Sequence, residues 1–290
     1  MAIGNYNAVY SQCNDSSILS SASKYNLFRE QSYISPQGGI GNMEALIFEA
    51  NITPYYSLFL KTDYKLGIEL SPQVIFRMYN TESLPIRTPS FMPKITFFYH
   101  IIENNNCNHD WFTFISVCHH SNGQDGSFLN SEKTEVNTFD GDFSTNFLEG
   151  GIFLSRFDKK RPFIINYLKL SLVYHFNQNS GLEKMYGKTR FFSEYQTSFN
   201  FLGLFKQKTN NLSQKIKLEW IAGDIEGINS LDFKKRFIFS YTVSYKPAFL
   251  KDLAFFSQYY YGQDYYNIYF NHTLSVLRFG ISAKTSLIIK

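Results

Sequence analysis

Residues 167–176 read YLKLSLVYHF, with Leu168, Leu170, Leu172, Tyr174 and Phe176 at the even positions and Lys169, Ser171 and His175 among the odd ones. Successive side chains of an extended strand point to opposite faces, so this stretch carries one apolar face and one mixed face. The pattern recurs. Tyr195, Thr197 and Phe199 alternate with Glu194, Gln196 and Ser198, and Ile216, Leu218 and Trp220 alternate with Lys215, Lys217 and Glu219. Phe237, Phe239, Tyr241, Val243 and Tyr245 face away from Ser240, Thr242, Ser244 and Lys246. Polar, turn-rich segments at 177–181, 206–213 and 223–232 fit hairpin connections. The expectation is an all-β chain with eleven or twelve antiparallel strands from about residue 45 to residue 290, forming a single domain. Residues 1–44, Ser-rich at 16–23 and containing Gly38-Gly39, lack the alternation and are expected to form a partly irregular arm.

Composition says which surroundings such strands need. Phe (30), Tyr (21) and Trp (2) together make up 18% of the chain, yet mean hydropathy is −0.24. No window reaches the roughly 18 consecutive apolar residues of a transmembrane helix. A closed barrel is the other way to span a bilayer, because it leaves no edge amide unpaired in lipid. Its alternating strands keep mean hydropathy low, its girdles are rich in aromatic rings, and a strand length of about ten suits a tilted crossing. A soluble sandwich or barrel would also alternate, but would not put so many Phe and Tyr side chains on its outward face. With 28 basic and 24 acidic residues the net charge is +4, with no block of one sign that would recruit nucleic acid.

Cys13, Cys107 and Cys118 form no disulfide framework and are read as unpaired. Residues 1–10 contain neither a basic stretch nor an apolar core of the signal-peptide kind, so an exported chain is expected to be in its mature form here.

Residues 111–123 read WFTFISVCHHSNG. Trp111, Thr113, Ile115, Val117, His119 and Ser121 share one face, so an imidazole and a hydroxyl end an apolar stripe near the membrane rim. At positions i and i+2 of a strand the two point the same way, which lets a histidine act as general base toward a serine. A third group must orient the imidazole. A neutral asparagine would do so without the cost of desolvating a charge. His120, out of phase, is expected to face the lumen or a loop as a polar filler. His100, His109, His175 and His272 lack metal-ligand spacing.

The string His119-His120-Ser121-Asn122-Gly123 resembles the His-x-Ser-Asn-Gly motif of the outer-membrane phospholipase A family. Ser144-Thr145-Asn146 is similar to that family's Ser-x-Asn element. Ser83-Leu84-Pro85-Ile86-Arg87 and Phe91-Met92-Pro93 are similar to its Ser-x-Pro-x-Arg and aromatic-x-Pro stretch, and Tyr261-Gly262 with Tyr269 to a further segment. The resemblance implies a transmembrane β-barrel of about twelve strands in the bacterial outer membrane, hydrolysing phospholipid acyl esters with A1, A2 and lysophospholipase activity. It implies Ser121 as nucleophile, His119 as base, Asn146 as its orienting partner and the Gly123 amide in the oxyanion hole. It further implies a calcium ion (Ca2+) held by the Gln124 carbonyl and Asp142, completed by the Ser83 carbonyl of a second subunit in an active homodimer.

Two departures from the family stand out. Asp142 replaces a hydroxyl residue, and a carboxylate is a better ligand for a hard cation. The stretch between Ser121 and Asn146 is about twice the familiar length, with Asp125, Glu132, Glu135 and Asp140 in it, so Asn130 and Asn137 stand as rival partners for His119. That insertion also favours the alternative function, a non-catalytic barrel that conducts solutes or anchors the envelope.

Overall fold

The computed structural model describes residues 28–289 apart from 60–64, 104–108, 158–164, 200–211, 248, 251 and 284–285. Cys13, Cys107 and most of the expected arm lie outside the described residues; Cys118 is buried and unpaired. In chain order the strands are β1 (Ser32–Pro36), β2 (Leu46–Ile52), β3 (Tyr55–Phe59), β4 (Leu66–Tyr79), β5 (Ser90–Glu103), β6 (His109–Ser121) and β7 (Ser144–Phe157). They continue as β8 (Ile165–Phe176), β9 (Thr189–Phe199), β10 (Leu212–Ile221), β11 (Phe237–Tyr245), β12 (Leu253–Gln263), β13 (Thr273–Ala283) and β14 (Ser286–Ile289).

From β4 to β13 each strand pairs antiparallel with the next, β13 pairs with β1, and β1 pairs with β2. β2 and β3 are halves of one wall strand, interrupted at Thr53-Pro54, where proline offers no amide hydrogen. Both halves pair with one edge of β4, while its other edge pairs with β5, which closes the sheet. β14 lies parallel to β3. The wall is therefore a closed antiparallel barrel of twelve strands. It begins earlier than the alternation indicates, since β1 falls within the stretch expected to be an arm. Five residues ending in a proline are too few to display a period, and only the pairing with β13 and β2 reveals them as a strand.

Burial is inverted relative to a water-soluble protein. Ile95, Phe97 and Tyr99 of β5, Trp111, Ile115 and Val117 of β6, and Leu170, Leu172 and Tyr174 of β8 are exposed. Glu49, Glu69, Arg77, Glu149, Lys169, Arg190, Glu194 and Arg278 are buried on the inner face. A continuous apolar outer band is what a hydrocarbon solvent requires. Among the described residues no helix is long and apolar enough to cross a membrane.

Buried charge is tolerated only when paired. Lys169 meets Glu149 at 2.6 Å, Arg190 meets Glu219 at 2.8 Å and Lys217 meets Glu194 at 3.5 Å. Residues 28–30 enter the lumen from one end: Phe28 packs edge-on against Phe98 and Phe114, Arg29 binds Glu69 at 2.7 Å, and Glu30 pairs with Lys217. A space of about 350 Å³ remains among these groups.

Loops 37–45, 80–89, 122–143, 177–188, 222–236 and 264–272 gather at the opposite rim. Val136, Phe143, Leu182, Tyr186, Tyr266, Ile268 and Phe270 form a small core there. Burial pushes the Tyr269 phenol up to about 12, so it stays protonated and donates to the Thr138 carbonyl. Arg77 ties this cap to the wall. Its guanidinium donates to Glu49 at 2.9 Å, to Glu44 at 3.0 Å and through both terminal nitrogens to Asp264 at 2.9 and 2.8 Å, over the Tyr266 ring. Arg77→Ala would leave the Asp264 carboxylate buried without its cation and Glu49 with only Arg278 at 3.5 Å, a loss of about 3–5 kcal/mol. Urea unfolding in detergent micelles should show it, with Arg77→Lys, which keeps the charge but not the planar fork, falling between.

Candidate active site at the barrel rim

His119 and Ser121 are the last two outward positions of β6, where the wall meets the loop cap. The stripe beneath them is outward as expected: Trp111, Ile115, Val117 and His119 are exposed, whereas Phe112, Phe114, Ser116, Cys118 and His120 are buried. β6 is held by neighbours on both edges here, Ser121 pairing with Phe91 of β5 and with Ser144 of β7. Such double pairing fixes the backbone from which the hydroxyl projects.

The same register sets His119 opposite Asn146, and His119 Nδ1 donates to Asn146 Oδ1 at 2.8 Å. An amide oxygen can only accept, so this bond puts the proton on Nδ1 and leaves the Nε2 lone pair free on the face that Ser121 shares. The rival asparagines are engaged elsewhere. Asn130 Oδ1 accepts from the Thr134 amide at 3.0 Å, and Asn137 Nδ2 donates to Asp140 at 2.6 Å, both within the insertion. His120 points inward, 3.2 Å from Ser90 Oγ and tilted against the Phe143 ring, as a filler of the lumen's end.

The insertion is an ordered loop, not a loose acidic one. Leu129 bridges Val136, Gly126 bridges Gly141, and Val136 and Phe143 anchor it in the rim core. Asn122, fully buried, ties its two ends together. Its Oδ1 accepts from the amides of Gln124 at 3.2 Å and Phe143 at 3.1 Å, and its Nδ2 donates to the Gly141 carbonyl at 2.8 Å. Between Ser121 and Gln124 the chain turns at Gly123, whose φ of +67° lies in the left-handed region that favours glycine. Among the described residues no acceptor takes the Gly123 amide.

The Asn122 clamp, with the Asp142 amide donating to the Gly126 carbonyl at 2.9 Å, draws the segments carrying Gln124 and Asp142 alongside each other. Asp142 Oδ2 accepts from Asn179 Nδ2 at 2.7 Å, and Asn179 also donates its backbone amide to the Ser144 carbonyl. No hydrogen bond among the described residues occupies Asp142 Oδ1 or the Gln124 carbonyl. Two open oxygen donors, one of them anionic, fit a hard cation such as calcium. Among the described residues no group of three or more His, Cys, Asp or Glu could hold a metal ion, so a cation here would depend on carbonyl oxygens besides Asp142. Ser83 lies on the 80–89 loop, exposed, its carbonyl accepting from Thr81 Oγ1 at 3.0 Å.

No protein-family model matches this chain, and no curated protein matches it by sequence. Solved structures do: outer membrane phospholipase A from Escherichia coli superposes with a TM-score of 0.55 at 13% identity, covering 88% of this chain and 90% of that one. The chain has the fold of outer membrane phospholipase A. An active-site variant of the E. coli enzyme, with an asparagine replaced by alanine, gives a TM-score of 0.57 at 13% identity over 89% and 91% of the two chains. The calcium-bound dimer of the Salmonella typhi outer membrane phospholipase gives 0.54 at 12% over 88% and 91%. Identity this low speaks for the phospholipase fold; the site rests on the distances above.

Asn122 and Asn179 carry much of that geometry and were not singled out by their sequence context. Asn122 stood inside the motif with no role attached, and Asn179 looked like a turn residue in 177–181. Asn122→Ala would orphan two amides and a carbonyl, a loss of about 1–3 kcal/mol for each group left without a partner. Limited proteolysis should then cut within 124–142 while the barrel core stays intact.

Proposed function

We propose that this chain is an outer-membrane phospholipase A, hydrolysing the acyl esters of phospholipids with A1, A2 and lysophospholipase activity at the lipid-facing rim of its barrel. The observation that carries the reading is the 2.8 Å bond from His119 Nδ1 to Asn146 Oδ1 on an apolar outer wall, with Ser121 on the same face. His119 Nε2 takes the Ser121 proton as the hydroxyl oxygen attacks the ester carbonyl, and returns it to the leaving lysophospholipid oxygen. Water, deprotonated by His119, then releases the fatty acid from Ser121. The Gly123 amide donates to the oxyanion.

Asn146 keeps the imidazole in the productive tautomer without placing a charge beside lipid. The active-site asparagine variant among the solved neighbours supports this role. Gln124 through its carbonyl and Asp142 through its carboxylate would hold a calcium ion, with the Ser83 carbonyl of a second copy completing the site in a homodimer. When bound, calcium supplies positive charge beside the developing oxyanion. The calcium-bound dimer among the neighbours supports both parts. Against the conducting barrel stands the lumen, crossed by paired charges and entered by residues 28–30, with a space of about 350 Å³ left among them.

The test is fatty-acid release from mixed phospholipid and detergent micelles. Calcium-dependent release is expected, with Ser121→Ala lowering it by about 10³-fold or more while the barrel stays folded. Asn146→Ala should lose less, because the imidazole remains but is no longer held in one tautomer. Chelation should abolish release, and Asp142→Asn should raise the calcium concentration needed for half-maximal rate. No release from folded, calcium-loaded protein would return the chain to the non-catalytic alternative.

A further inference from the structure

On the outer wall, β7 to β11 carry an open apolar groove of about 630 Å³. One row of paired residues runs along it from strand to strand: Gly150, Leu172, Phe191, Trp220 and Phe237. Gly150 in this row and Ser193 in the next are small residues among the large apolar ones that line it.

The row is oblique to the membrane. Phe237 is the first residue of β11, at the rim, whereas Gly150 lies six residues inside β7, which begins at Ser144. At about 3.3 Å per residue the groove therefore descends by up to roughly 20 Å from the rim, less the strand tilt.

The rim end is built firmly. Buried Arg236 donates to the carbonyls of Ile221 at 2.8 Å, Gly223 at 2.7 Å, Ile228 at 3.1 Å and Asn229 at 2.7 Å, which locks the 222–236 loop to the wall. Asp232 caps the short helical turn Phe233–Arg236 through the Lys235 amide. Phe233 is thereby held over the groove, stacked on Phe237 at 4.3 Å and 6.1 Å from Trp220. The next residue, Lys234, is exposed and in no ion pair among the described residues.

We propose that this groove binds one membrane phospholipid, its acyl chain laid from Phe237 down to Gly150 and its phosphate at Lys234. The wall faces hydrocarbon, so the filler of an open apolar groove there is an acyl chain. An aromatic crown with a cation at the rim suits the interfacial headgroup. The headgroup end at Phe237 lies five strands from β6, the deep end at Gly150 lies on β7 beside β6 and four residues from Asn146, and binding there needs no hydrolysis.

Trp111 and Trp220 are the only tryptophans, which permits a direct test. Trp111→Phe leaves Trp220 as the reporter in the groove, and Trp220→Phe leaves Trp111 as a reporter of bulk lipid at the other end of β6. Phosphatidylglycerol with brominated acyl chains is titrated into detergent micelles containing EDTA, which keeps the ester intact if the chain is a calcium-dependent enzyme. Trp220 should be quenched at a lipid-to-detergent ratio about tenfold lower than Trp111. Gly150→Leu should abolish the difference; a Cβ at Gly150 meets nothing nearer than 4.0 Å, so the substitution fills the groove without disturbing the wall. Lys234→Glu should remove the preference for phosphatidylglycerol over brominated diacylglycerol. Equal quenching of the two tryptophans, or an unchanged Trp220 titration in Gly150→Leu, overturns the site. Equal affinity of the wild-type groove for diacylglycerol overturns the phosphate contact.

Discussion

In hydrocarbon an amide without a partner has no water to turn to, so a wall facing lipid must supply every backbone hydrogen bond from within itself. The pairing of β4 with β5 on one edge and with β2 and β3 on the other meets that demand, because it turns an open sheet into a ring. Much else follows from the closure. The outer positions of each strand become solvent-facing toward lipid and are apolar; the inner positions are sealed from bulk water and are free to be polar. What would be a misfolded distribution in a soluble protein is here the stable one.

The price of that inversion appears in the lumen. Glu49, Glu69, Glu149 and Glu194 would each be costly alone, and each is met by an Arg or Lys, from another strand or, for Glu69, from Arg29 of the segment before β1. Arg77 extends the same logic to the rim, where its fork joins β2, β4 and the loop after β12. It ties the loop cap to the wall beside the paired strands that hold the Ser121 hydroxyl, the His119 imidazole and the Asn146 amide, the setting that the proposed hydrolysis needs. The uncharged Asn146 fits this setting, since a carboxylate beside hydrocarbon would have to give up its hydration.

Much of this was legible in the chain itself. The two-residue period in 167–176 and its recurrences identified the strands and their lipid side, and the odd face of 111–121 correctly grouped His119 with Ser121 outside and His120 inside. β1 escaped because five residues cannot show a period. The role of Asn122 escaped because two of its three hydrogen bonds are made to residues 141 and 143, which come near it only when the loop closes. Choosing among Asn130, Asn137 and Asn146 was likewise beyond the string of letters.

Sequence alone determined the class of the fold and the side of the wall on which each strand residue lies, because both follow from local alternation and from the solvent that alternation demands. Tertiary structure alone decided the register of β6 on β7, which selects Asn146 for His119, the clamp that draws the segments of Gln124 and Asp142 alongside each other, and the oblique row from Gly150 to Phe237. These are relations between residues far apart in the chain, set by which strand edges meet and at what stagger, and a one-dimensional period carries no information about stagger.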